Sequence, residues 1–169
     1  VSDIAEQRLL DIERRLTSLL VQRHELAALV QDLESGVLEE GGGVSELFSR
    51  VCRAEAGSFM QWESFRELAQ RLDCTLHSPE AEAIIEKLRG QHYHVWQEGD
   101  AYKILAVEPT PQVREALSQL ARLEQSCTVH HSPTVRSHEQ GVLLVARGGS
   151  AFLYATLFLS LDDSRRDGK

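Results

Sequence analysis

The chain has 169 residues, of which 42% are hydrophobic, and its 26 Asp and Glu outnumber its 18 Lys and Arg. This length suits one domain or two small ones with a buried core. The net charge of −8 argues against a protein whose main task is to neutralise phosphates. Cys52, Cys74 and Cys127 are an odd, widely spaced set, which fits a reducing compartment better than a disulfide scaffold. With no signal peptide visible, these features predict a cytoplasmic globular protein.

The first third of the chain carries a heptad pattern. If Arg23 fills the one gap, apolar residues alternate in steps of three and four at Ala5, Leu9, Ile12, Leu16, Leu19, Leu26, Val30 and Leu33. Such a and d positions predict a coiled coil or a helical hairpin arm over residues 1–36, followed by a Gly-rich linker over 37–43. The predicted contact residues are Leu16, Leu19, Arg23, Leu26 and Val30. A seam of this kind serves an intramolecular hairpin and self-association through residues 5–33 equally well.

Short elements follow over residues 44–108. Apolar stripes predict helices over 45–55 and 61–72, and Ser78 before Pro79 predicts a capped helix that ends at Gly90. Alternating residues on both sides of a glycine-containing turn predict a β-hairpin. Three helices and a two-stranded wing are the order of a winged-helix domain. Its predicted core and contact residues are Trp62, Phe65, Ile84, Ile85, Leu88 and Trp96.

The C-terminal third is marked less clearly. The spacing of apolar residues predicts a helix over 113–123, and the Ser-, His- and Thr-rich residues 126–137 suggest a loop or a poorly formed element. We expect residues 109–161 to form a second, degenerate winged helix and residues 162–169 a solvated tail. The predicted fold is therefore mainly α with small β-hairpins.

Residues 141–161 form the most apolar stretch and allow two interpretations. Their length suits a membrane helix, but Arg147 and two adjacent glycines oppose one. We therefore favour two buried elements, a short helix over 142–146 and a strand over 152–159.

Recognition of DNA by the predicted wing is disfavoured by charge. Residues 79–100 contain five acidic side chains against two basic ones, whereas a helix that reads DNA needs basic and amide groups. Nucleic acid is therefore not a favoured partner. A winged-helix transcription regulator dimerised by the coiled coil is retained as the alternative function.

Motifs for catalysis are also missing. The sequence contains no Gly-x-Ser-x-Gly, phosphate-loop or His-Glu-x-x-His motif, so we expect no enzyme, no catalytic residue and no cofactor. His92 and His94 are two residues apart on a predicted strand, and Cys127 lies near a His pair, but neither set has the paired spacing of a zinc site. No metal is therefore expected, and we expect His24 to lie at the surface.

One helix suggests a third function. Residues 19–30 resemble the first helix of AroQ-type chorismate mutases, in which an arginine after a Leu-Leu pair holds a substrate carboxylate, here Arg23. The family's second arginine would fall near Glu6, and no lysine follows before Lys87. Arg23 is more simply a seam residue that sets register.

The middle of the chain resembles the first winged helix of ESCRT-II subunits, most closely the subunit that carries a GLUE domain in relatives. The resemblance is carried by residues 57–71, by Ser78-Pro79-Glu80 at a helix start, and by a hairpin that ends at 102–107. It implies a non-catalytic adaptor that contacts other protein subunits during endosomal sorting of ubiquitinated cargo. Without a GLUE domain, the protein would reach the endosomal membrane only through its partners.

Overall fold

The computed structural model describes residues 2–34, 62–123 and 132–161. Within them lie five α-helices, one 3-10 turn and a four-stranded antiparallel sheet, a mixed α/β fold. In chain order the elements are α1 (Ser2–Glu34), α2 (Trp62–Arg71), the 3-10 turn (Thr75–His77), α3 (Pro79–Glu86), β1 (Tyr93–Glu98), β2 (Ala101–Val107), α4 (Pro111–Leu123), β3 (Thr134–His138), β4 (Gly141–Arg147) and α5 (Phe152–Leu161). No helix among these residues is long and apolar enough to cross a membrane.

Local signals in the sequence placed several elements correctly. The helices predicted over 61–72 and 113–123 are confirmed as α2 and α4, and the predicted hairpin is confirmed as β1 and β2. The Ser78 side chain caps α3 by accepting a hydrogen bond from the Ala81 N–H at 3.1 Å. The predicted helix over 45–55, the linker over 37–43 and the tail over 162–169 lie outside the described residues.

The sheet joins two hairpins in the strand order β1-β2-β4-β3. The central pair, β2 and β4, runs in register with Ile104 opposite Leu144 and Val107 opposite Gly141. A side chain at Gly141 would bring its Cβ within 2.0 Å of the Ala106 carbonyl oxygen, so the close approach of the two strands depends on glycine. The predicted hairpin and the strands of the C-terminal third, which the sequence assigned to separate winged helices, thus share one sheet that is larger than the small hairpins predicted.

The core lies between one face of this sheet and the helices, with α5 at its centre. Nine of the ten residues of α5 are buried, and the helix packs against α1, α2, β1 and β2. The Tyr93 ring meets the Phe158 ring edge to face at 4.8 Å, and the Tyr93 hydroxyl donates to the Leu88 carbonyl at 2.7 Å. Phe65, Ile84, Ile85 and Leu88 are buried in the same core.

The secondary structure predicted within residues 141–161 is wrong. The segment predicted as a helix is strand β4, and the segment predicted as a strand is helix α5. Both are buried on all sides, so neither shows the periodicity that separates a helix from a strand. Residues 126–137, predicted as a loop or a poorly formed element, contain the first four residues of β3, a short strand of which most side chains are exposed.

Candidate interaction surface

One face of α1 is fixed to the rest of the domain. Thr17, Val21 and His24 are buried where the helix packs against β1 and α5, so the prediction of a surface His24 is wrong. The hydroxyl oxygens of Thr17 and Thr156 lie 3.2 Å apart in this buried contact. The Ser18 hydroxyl donates to the Gln97 side-chain oxygen at 2.7 Å. The helix is therefore docked on the sheet along its middle turns.

The same face covers the outer edge of the sheet at β1. Burial raises the pKa of the Glu25 carboxyl above its ordinary value, and the nearby backbone N–H of Gln97 opposes this by favouring the carboxylate. An edge strand with unpaired backbone groups invites pairing with other chains. By packing along β1, α1 covers part of that edge and leaves its own opposite face outward.

The outward face of α1 carries the heptad seam. With Leu9 at position a, four exposed leucines occupy a and d and Leu29 occupies g, while the buried Thr17, Val21 and His24 occupy b and f. Leu16, Leu19 and Leu26 are 46%, 60% and 45% exposed. We define the α1 seam as Leu9, Ile12, Leu16, Leu19 and Leu26, all of them exposed. Arg23 is half-buried within this line, and the side chain of Val30 lies outside the described residues.

Charged residues border the N-terminal half of the seam in a regular order. Arg8 and Arg15 occupy g positions and are exposed, whereas Glu6 and Glu13 occupy e positions, exposed and half-buried respectively. Arg14, at position f, is engaged with its own domain, because it donates to Gly149 O at 3.1 Å and to Asp11 at 3.0 Å. One edge of the seam is thus basic and the other acidic.

The two predicted tryptophan contacts lie apart from the seam. Trp62 is half-buried between the Phe65 ring, at 5.3 Å, and the Arg89 guanidinium, at 4.5 Å, so it packs within its own domain. Trp96 lies on the opposite face of the sheet from the core. There it packs against a small buried cluster of Ala101, Leu105, Leu143 and Val145. Of the predicted contact residues with described side chains, only those of α1 form an exposed line.

A polar cleft of about 500 Å³ opens beside the ends of β2 and β4. Its lining includes His94, Glu108, Arg114, His138 and Glu139. These residues come from separate segments of the chain, so no local sequence motif could predict the cleft. The His92 and His94 rings lie 4.7 Å apart, and His24 lies 6.3 Å from His94. Among the described residues, no three His, Cys, Asp or Glu side chains are grouped to hold a metal ion.

Comparisons with protein-family models, with curated proteins and with solved structures found no match for this chain. A function must therefore be inferred from its own residues.

Proposed function

We propose that the protein is a non-catalytic assembly subunit that binds a partner helix through the α1 seam. One observation carries this proposal: five apolar a and d residues of a long helix face outward while its b and f positions are docked on the domain. Single exposed leucines are ordinary on protein surfaces, but a continuous apolar line indicates an interaction site. Knobs-into-holes pairing with a second helix is the arrangement that buries such a line.

The attachment of α1 to the sheet supports this role energetically. The Thr17, Ser18 and Glu25 contacts hold the helix in place before any partner arrives. Because α1 is already ordered, binding a partner costs little conformational entropy. More of the free energy gained by burying apolar surface therefore contributes to affinity.

A more specific form of the proposal is a place in an ESCRT-II-type complex. The order of α2, α3 and the β1–β2 hairpin supports it, whereas the joining of that hairpin to β4 and β3 is not part of that expectation. It is tested by mixing the chain with purified ESCRT-II subunits and measuring the mass of any complex by light scattering. Absence of a joint complex would remove this specific role and leave the seam proposal standing.

The seam proposal is tested by sedimentation of the chain in extracts of the cells that make it. We expect the unaltered chain to sediment in a particle larger than its own 19.0 kDa. The double variant Leu16→Glu/Leu19→Glu should sediment as a monomer, because two carboxylates in the seam oppose burial. The matched control Gln7→Glu/Gln112→Glu adds the same charge at exposed positions outside the seam and should keep the large particle. Monomeric sedimentation of the unaltered chain would contradict the proposal.

A further inference from the structure

We infer that the partner helix is α1 of a second copy of this chain, aligned in parallel as a two-stranded coiled coil. The inference rests on the proposed function, since it names the occupant of the α1 seam. It is carried by the order of charges along the seam, which is complementary to itself in one orientation only.

In a parallel pair, a residue at g faces the residue at e five positions later in the other chain. Arg8 then faces Glu13 of the second copy, and the two-fold symmetry repeats the pair with the chains exchanged. Both side chains border the exposed seam. A parallel dimer therefore gains two oppositely charged pairs without any change in the structure of α1.

An antiparallel pair places g opposite g and e opposite e. With the seams fully overlapped, Leu9 faces Leu26, Arg8 faces Leu29 and Arg15 faces Gln22, so no oppositely charged pair forms. A shorter overlap of the N-terminal halves brings Arg8 against Arg15, which is repulsive. Charge thus favours the parallel orientation.

The remaining surface of α1 limits the assembly to two chains. A third or fourth helix would bury the e and g positions, where Arg8, Arg15, Glu6 and Glu13 lie. Arg23, at a single a position, adds a polar layer whose long side chain reaches water at the edge of a two-stranded interface. Because each domain is attached to b and f positions, the two domains fall on opposite sides of the coiled coil.

The stoichiometry is tested with the purified chain by sedimentation equilibrium over a concentration series. We expect a mass of twice 19.0 kDa at high concentration and dissociation on dilution. A monomer at every concentration would overturn the inference. If the extract experiment still shows a seam-dependent particle, the seam binds a different protein and the proposed function stands, so the two failures are distinguishable.

The orientation is tested by disulfide formation. Leu26→Cys alone should cross-link in a parallel dimer, where it faces itself, whereas a mixture of Leu9→Cys and Leu26→Cys chains should form the mixed disulfide only if the helices are antiparallel. The unaltered chain, with its native cysteines, is the control for other disulfides. A predominant mixed disulfide would overturn the parallel arrangement.

Charge reversal tests the pairing itself. Arg8→Glu and Glu13→Arg each replace two attractive pairs with two repulsive ones, and each should weaken dimerisation by about tenfold. Mixing the two variants restores both pairs, so a heterodimer about as tight as the unaltered dimer is expected. Matched circular dichroism spectra confirm that both variants fold. Equal affinity of the variants, alone and mixed, would show that Arg8 and Glu13 do not face each other.

Discussion

Helices α1 and α5 bury their apolar residues in opposite ways. α5 is short, almost wholly apolar and enclosed on all sides by its own chain. α1 is more than three times longer and packs on β1 and α5 through Thr17, Val21, His24 and the partly buried Leu20, whereas most of its large apolar side chains face outward. The hydrophobic effect stabilises the folded chain mainly through α5 and leaves the leucines of the α1 seam for another surface.

This contrast separates two kinds of apolar residue that look alike in composition. A leucine in α5 contributes to folding, and a leucine in the α1 seam contributes to association. The contacts that attach α1 to the domain combine the buried Val21 and the partly buried Leu20 with hydrogen bonds, which are individually worth little. Substitutions at matched positions in the two helices should therefore affect different measurements.

The largest effect is expected from the same substitution made in both helices. Leu157→Ala empties part of the core, since Leu157 is fully buried, and should lower the free energy of unfolding by about 2–5 kcal/mol. Leu19→Ala should lower it by less than about 1 kcal/mol in dilute monomer, because the side chain is 60% exposed. Urea unfolding followed by circular dichroism measures both values.

Varying the protein concentration is the control for the comparison of Leu19→Ala with Leu157→Ala. In a dimer, the cost of Leu19→Ala should grow as the protein concentration rises, whereas the cost of Leu157→Ala should stay constant. Equal costs for the two variants in dilute solution would show that α1 buries its leucines within the monomer, contrary to the exposed seam.

A smaller effect is expected where the two helices touch. Thr17→Val removes a hydroxyl that donates to the Glu13 carbonyl at 2.9 Å and lies 3.2 Å from the Thr156 hydroxyl oxygen. The Thr156 hydroxyl still donates to the Phe152 carbonyl at 2.9 Å. The free energy of unfolding should fall by about 1 kcal/mol, the usual net value of one hydrogen bond. Thr134→Val, at an exposed position of β3, is the matched control and should change it by less than about 0.5 kcal/mol. Equal effects of the two variants would mean that the hydroxyl contact does not hold α1 to α5.

Local chemistry explains which parts of the fold could be predicted. The cap at Ser78, the helices α2 and α4 and the first hairpin each carry a signal within a few residues. Strand β4 and helix α5 carry none, because burial on all sides removes the alternation of polar and apolar residues.

The candidate interaction surface could likewise be predicted only in part from local sequence signals. The heptad of α1 is visible in the sequence, but which of its faces docks on the domain depends on contacts more than a hundred residues away, such as Thr17 with Thr156. The burial of His24 was missed for that reason. The small side chains at positions 17 and 21, opposite the leucines, are the one local sign that this face could lie close to another element.

The smallest effect concerns two carboxyl groups near the end of β1, that of Glu25 on α1 and that of Glu98 on the strand itself. Burial against the strand raises the pKa of Glu25 above 4.5, so stability falls as the pH rises through the folded-state value and Glu25 ionises. A hydrogen bond and charge attraction from Lys103 lower the pKa of Glu98. The contribution of Glu98 to stability is therefore complete above pH 4.5 and is lost as the pH falls through the folded-state value.

In a side-chain NMR titration, Glu98 should therefore titrate at lower pH than Glu25. Lys103→Met should raise the pKa of Glu98 and leave Glu25 unchanged, because only Glu98 contacts the lysine. If Glu25 titrated at or below its ordinary value, its carboxyl would lie in water, and α1 would not be seated on the edge of the sheet.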